Sequence, residues 1–424
     1  VHSQLTTHNC LKMRFPLLII GVFYFIFGFV TWLNSILIPY LKMACQLESN
    51  LQAYLVAFAF YISYFVMALP SAWFLEKTGF KNGMAWGLVV MALGALVFIP
   101  AAQTRVYNLF LLGLFIQGTG LAILQTAANP YVAVLGKPES AAQRISIMGI
   151  ANKVAGIISP IVLGAIVFTK SEDIESTLQA LDSVRKNIFL QDLASKVIIP
   201  YGIMAVVLVA LALMLRFTPL PDVDNQIEET KHSEDTQRNI WSYPQLVLGV
   251  IALFLYVGVE VVAGDTIIQY GISWGIEKSE AKFFTSLTLT AMLIGYVVAI
   301  FTIPRYISQE KMLGICSVLG IIFSIMVLVS EGFVSVLGVA LLGLANSVMW
   351  PAIFPLAIVD LGKHTKTGSA MLIMAIAGGA LLPLLYGYLA DLPQIGFRYA
   401  YIILLPAYLF IGLYGISWAK KRQW

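Results

Sequence analysis

Four ionisable side chains interrupt stretches otherwise apolar enough to sit in hydrocarbon: Lys153, Glu260, Asp265 and Asp360. Each charge there costs about 2.5–3.5 kcal/mol on insertion scales, so each marks a candidate site. Glu260 and Asp265 are five residues apart, about 140° around a regular helix. They share a cavity only if that helix bends, which Gly258 and Gly264 permit. Asp265 and Gln269 share a face at i, i+4. In one reading, one carboxylate meets a solute or takes up a proton while the other pairs with Lys153 or caps interrupted backbone. In the other, the charges form a purely structural interhelical pair. The first is preferred, because a buried ion pair stabilises poorly compared with apolar packing. Asp360 lies at the end of its apolar stretch, where an interfacial role fits.

Uncharged polar residues gather in the same stretches. Asn34 and Ser35 adjoin Trp32, and Gln117, Gln125 and Asn129 form a stripe at helical spacing that ends at Pro130. Asn152 sits beside Lys153, and Asn346 and Trp350 are i, i+4. Amides both donate and accept, as a neutral polyol requires, and an indole face covers the C–H side of a pyranose. Any single amide serves a helix–helix hydrogen bond equally well. The constellation as a whole favours a sugar-sized site. A bulky cation would want more buried acids, and an anion more buried bases.

Other chemistries lack their residues. His2, His8, His232 and His364 all fall in predicted polar segments, which supports neither a histidine metal site nor an intramembrane relay. No GxxxxGK[ST] phosphate loop and no Ser-His-Asp arrangement inside the apolar stretches is present, so ATP-driven and hydrolytic readings find no support. Cys10, Cys45 and Cys316 are too dispersed for a disulfide framework or a CxxC metal pattern.

These residues are positioned by an all-α membrane architecture. The 424 residues are 59% hydrophobic and 11% charged, with mean hydropathy +0.85. A soluble domain carries about 25% charged residues, so too little polar surface exists to cover a water-soluble protein. The net charge of +4 is scattered, unlike a nucleic-acid-binding stripe. Crossing the bilayer takes roughly 20 apolar residues per helix. Twelve segments qualify, at about 15–41, 51–75, 84–102, 107–134, 145–168, 197–217, 244–272, 283–307, 312–330, 332–361, 368–392 and 397–418. The first is too long for a signal-peptide core and lacks a small-residue cleavage site, so it counts as a helix. Only Glu331 divides the ninth from the tenth.

Basic residues set the expected orientation. Thirteen fall on one side (Lys12, Arg14, Lys77, Lys81, Lys137, Arg144, Arg305, Lys311, Lys363, Lys366, Lys420, Lys421 and Arg422) against five in the short loops of the other. Both termini are therefore expected in the cytoplasm and the charged segment 169–196 outside, as a solvated loop. The acidic, proline-containing stretch 218–243 reads as a flexible tether between six-helix bundles at 1–217 and 244–424. Phe27-Gly28-Phe29 and Val257-Gly258-Val259 echo each other, as do Leu135-Gly136-Lys137 and Leu361-Gly362-Lys363. Two parallel halves suit a carrier that rocks around a midplane site.

Several motifs carry a resemblance. Leu75-Glu76-Lys77-Thr78-Gly79-Phe80-Lys81 resembles the cytoplasmic loop of the major facilitator superfamily, with Glu76 where Asp is usual. Gln125-Thr126-Ala127-Ala128-Asn129-Pro130-Tyr131-Val132-Ala133-Val134-Leu135-Gly136, Ala142-Gln143-Arg144, Gly258-Val259-Glu260-Val261 and Leu361-Gly362-Lys363-His364-Thr365-Lys366-Thr367-Gly368-Ser369 are similar to the fucose–galactose–glucose symporter family. The fucose branch has Asn-Asp-Ile-Leu where this chain has Asn34-Ser35-Ile36-Leu37, and Glu where it has Gln125. Both carboxylates implicated in fucose binding and coupling are thus replaced, which points to the glucose/galactose or amino-sugar branch.

The resemblance implies a twelve-helix major facilitator fold of two pseudo-symmetric bundles in the inner membrane. It would act as a monomer without a cofactor, importing a neutral hexose, glucose or galactose, with H⁺ as coupling ion and Na⁺ as the alternative. Trp32, Asn34, Ser35, Gln125, Asn129, Asn152, Gln269, Asn346 and Trp350 are the expected sugar contacts. Lys153, Glu260 and Asp265 are the expected charge-handling group, and Glu76, Lys77, Gly79, Lys81 and Arg144 the cytoplasmic gate. L-Fucose or N-acetylglucosamine symport stays open as an alternative, as do an exporter and a non-transporting sensor.

Overall fold

With no water in hydrocarbon, each spanning segment must satisfy its own backbone, which only a helix does alone. In the computed structural model the described residues are 19–134, 141–167, 181–218 and 239–421. Among them, twelve helices are long and apolar enough to cross a membrane. The first six are α1 (Ile19–Ala44), α2 (Asn50–Gly79), α3 (Lys81–Thr104), α4 (Tyr107–Ala128, continuing helical to Val134), α5 (Arg144–Val167) and α6 (Ser183–Phe217). The others are α7 (Pro244–Asp265), α8 (Lys278–Thr302), α9 (Gln309–Val329), α10 (Gly332–Ile358), α11 (Thr367–Asp391) and α12 (Gly396–Lys420). Large apolar side chains point outward, among them Ile199, Val206 and Phe217 on α6, as expected of lipid-facing surface. The chain is an integral membrane protein. The tether at 219–238, Cys10, His2, His8, His232 and the basic residues Lys12, Arg14, Lys137 and Arg422 lie outside the described residues.

Two helices central to the argument are interrupted. α1 has a turn at Leu33, and Asn34–Ala44 starts anew after it. α7 ends at Asp265, and a seven-residue helix, Ile267–Ser273, follows Thr266. The interruption thus falls after Asp265, whereas the sequence allowed a bend at Gly258 or Gly264. Those glycines serve close approach instead: a side chain at Gly264 would collide with the Trp32 ring, and one at Gly258 with Leu382. α10 is also broken, by a turn at Ser347 and Val348.

Part of the expected loop 169–196 is helical. Asp182 caps Ser183–Ser195 by accepting from the Arg185 amide at 2.8 Å. Leu190, Leu193 and Ala194 are buried beneath it. The Tyr40 hydroxyl donates to the carbonyls of Leu193 (2.6 Å) and Ala194 (3.0 Å), and Gln191 donates to that of Ala102 (2.9 Å). Its apolar residues number too few to stand out from the surrounding charge, yet they suffice to dock one turn-rich face.

α2 packs along α11 and α5 along α8, so each of these pairs brings together helices from opposite sides of the tether. At the end where α2 begins, Asp391 grips it across that boundary. Its Oδ1 accepts from the Asn50 amide (3.0 Å) and side-chain Nδ2 (2.7 Å), and its Oδ2 from the Leu51 amide (2.9 Å). Lys42 donates to Asn50 Oδ1 at 2.6 Å. A carboxylate at a helix N-terminus satisfies otherwise orphaned amides and opposes the positive end of the dipole.

Candidate functional site

A cavity of about 110 Å³ opens between α1, α2, α4, α5, α7, α8, α10 and α11. Its polar lining includes Thr31, Trp32, Gln125, Asn152, Lys153 and Glu260, with Trp350 as an aromatic wall. Lys153 and Glu260 face each other across it from α5 and α7, with Nζ 2.6 Å from Oε1. Both side chains are nearly sealed from the surroundings, at 6% and 11% exposed. Lys153 Nζ also lies 4.7 Å from the Trp32 ring centroid, a cation–π contact that strengthens where water is excluded.

Close backbone approach holds this arrangement. Gly28 lets α1 lie against the Asn152 backbone of α5, and Gly156 leaves room for the Trp32 indole. Trp32 joins Leu289, Met292 and Tyr296 in a buried apolar cluster. The Thr285 hydroxyl donates to the Gly264 carbonyl at 2.7 Å, tying α8 to the end of α7. Gln125 Nε2 donates to the Tyr64 hydroxyl at 3.0 Å, and both residues border the cavity. Trp350 stacks on Phe354 with centroids 5.8 Å apart.

Tyrosines complete the lining and were not singled out in the sequence. Tyr24, Tyr61, Tyr64, Tyr256 and Tyr296 all border the cavity. Tyrosine ordinarily gathers at the membrane–water interfaces, so its recurrence deep within predicted spans was the available signal.

Other expected residues lie elsewhere. Ser35 donates to the Trp32 carbonyl at 2.8 Å, within its own helix turn. Asn346 accepts from the Tyr408 hydroxyl at 2.8 Å, and the turn at Ser347–Val348 takes it off the face of Trp350. Gln117 packs against Gly94 of α3. Asn34 and Asp265 are fully buried, and their side-chain polar atoms meet no hydrogen-bond partner among the described residues. Neither they nor Gln269 border the cavity. The Asn129 side chain lies outside the described residues.

Of the expected gate residues, Glu76, Lys77, Gly79 and Lys81 lie at the α2–α3 turn, and Arg144 lies at the start of α5. Gly79 has φ 75° and ψ 160°, a conformation essentially reserved for glycine. It separates two helices that otherwise run on. Glu76 and Lys77 are exposed, with Lys77 Nζ 3.9 Å from the Trp73 ring centroid. Lys81 is half-buried, and Arg144 Nε donates to the Val132 carbonyl at 3.2 Å.

The cavity is suited to noncovalent binding: amides, hydroxyls and aromatic faces surround one internally balanced ion pair, and the lining comes from helices on both sides of the tether. Residues 20–375 match the family described as the Major Facilitator Superfamily. The chain is 35% identical over 424 residues to a glucose/galactose transporter of Brucella abortus, covering 99% of this chain and 98% of that one. It is 28% identical over 394 residues to the L-fucose-proton symporter of Escherichia coli, covering 89% and 87% respectively. The crystal structure of an Escherichia coli fucose:proton symporter superposes with a TM-score of 0.74 at 27% identity, covering 95% of this chain and 98% of that one.

Proposed function

Because the chain belongs to the Major Facilitator Superfamily, whose members are transporters rather than enzymes, and has its twelve-helix fold, we propose that it imports a neutral hexose, glucose or galactose, by alternating access coupled to a cation. The observation that carries this is the cavity itself, where a closed Lys153–Glu260 pair sits among amides and aromatic rings. Such a lining offers hydroxyl partners without a net charge to attract an ion. Gln125, Asn152 and the ring hydroxyls of Tyr61, Tyr64 and Tyr256 bond the sugar, and Trp32 or Trp350 covers its apolar face. Asn34, Asn129 and Asn346 join this set if the helices shift toward the opposite state.

The coupling ion is H⁺, with Na⁺ as the alternative, handled by one of the two carboxylates, Glu260 or Asp265. Coupling requires that cation and sugar each have different affinities for the two states. Glu76, Lys77, Gly79, Lys81 and Arg144 bias closure at the cytoplasmic side of the inner membrane, where both termini lie, and the carrier works as a monomer of two bundles. The glucose/galactose branch is preferred to the fucose branch because Ser35 and Gln125 stand where that branch carries carboxylates. Counterflow in liposomes with a panel of glucose, galactose, L-fucose and N-acetylglucosamine, with and without Na⁺, tests the reading. Exchange of glucose or galactose is expected; no exchange of any of the four would overturn it.

A further inference from the structure

The two carboxylates of α7 differ in what surrounds them. Glu260 is met by Lys153 at 2.6 Å, and that lysine rests against the Trp32 ring. The pair is electrically closed, and neutralising either partner would strand the other in low dielectric. Asp265 is fully buried, and neither carboxylate oxygen meets a hydrogen-bond donor among the described residues. No basic side chain there forms an ion pair with it. The groups that interact with it electrostatically are Glu260 on its own helix and the hydroxyls of Tyr54 and Tyr61 on α2. Both hydroxyls are themselves buried and meet no hydrogen-bond partner among the described residues.

A bare carboxylate so placed, beside a second acid and away from water, needs a positive charge on it. We propose that Asp265 is the seat of the coupling cation and that Glu260 is not. A proton on Asp265, or a sodium ion held by its carboxylate oxygens, supplies the missing charge. The seat lies at the interruption of α7, which follows Asp265 directly. Trp32 links the seat to the cavity, since it borders the cavity and also presses on Gly264, next to Asp265. Loading at Asp265 and sugar at Trp32 therefore act on one shared element, the end of α7. The word "coupling" rests on the proposed sugar transport; the seat itself does not.

Dicyclohexylcarbodiimide attacks protonated carboxyls in apolar surroundings, so peptide mass spectrometry after labelling the full chain in proteoliposomes reads the seat without any sugar. The N-acylurea adduct is expected on Asp265 and absent from Glu260, and Glu260→Gln should leave it in place. Loss of labelling when Na⁺ replaces K⁺ identifies sodium as the occupant; labelling indifferent to Na⁺ identifies the proton. An adduct on Glu260 with Asp265 unmodified overturns the proposal. In transport, Asp265→Asn should lose gradient-driven accumulation while keeping counterflow, and retained accumulation in that variant also overturns it. Should the wild-type carrier move none of the sugars, the transport reading fails, while the labelling still decides the seat.

Discussion

At the scale of the residue, Lys153 and Glu260 stand or fall together. Lys153→Met leaves Glu260 charged and buried without its partner, which costs about 3–5 kcal/mol in comparable buried pairs. The double variant Lys153→Met/Glu260→Leu removes both charges and should recover most of that loss in thermal unfolding, yet counterflow should be absent from both. A single variant as stable as the parent would show that the pair is not buried as described. The sequence named both partners, because charge in an apolar run is conspicuous. It left open whether Glu260 or Asp265 meets the lysine, since that depends on helix rotation and on where α7 breaks. Amides were less legible. Gln117, Gln125 and Asn346 look alike in sequence, yet Gln117 meets Gly94, Gln125 meets Tyr64 and Asn346 meets Tyr408. An amide's function is set by the helix it faces, which one chain's periodicity does not specify.

At the scale of the element, small residues decide how closely helices approach. Gly28 brings α1 onto α5, and Gly258 brings α7 onto α11. These are the glycines of the two Phe/Val-Gly-Phe/Val echoes, but Gly28 meets the Asn152 backbone whereas Gly258 meets the Leu382 side chain. Gly28→Ala would place a methyl group on the Asn152 carbonyl, which is backbone and cannot swing aside. A loss of about 1–3 kcal/mol is expected from such overpacking. Gly21→Ala, seven residues earlier on the same helix with nothing within 4 Å, should leave stability unchanged, and equal melting temperatures for the two variants would refute the contact. Helix existence and most boundaries were readable from apolar length. The breaks at Leu33 and Thr266 were not, because no proline marks them, although Ser35 and Thr266 bond back to the main chain there; the break at Ser347 falls four residues before Pro351, which has no amide to offer the Ser347 carbonyl.

At the scale of the whole molecule, the contacts at the loop ends form a consistent set. Asp391 meets Asn50, Arg398 meets Glu331 at 3.1 Å, and Lys278 reaches Met43 at 3.5 Å. The excess of bases on the opposite side predicts that this set faces outward. A cysteine replacing exposed Glu331 should react with an impermeant maleimide on intact cells, while one replacing exposed Glu76 should react only after permeabilisation; the reverse pattern would invert the topology. Asp391→Asn weakens the tie between α2 and α11, so spin labels at Glu48 and Gln394 should show a longer, broader distance distribution by pulsed resonance. An unchanged distribution would mean the tie bears no part of the closure. The grip at this end also has an evolutionary side. Asp391 holds main-chain nitrogens, which every amino acid except proline supplies, so the residue at 51 is free to drift while the fastening persists.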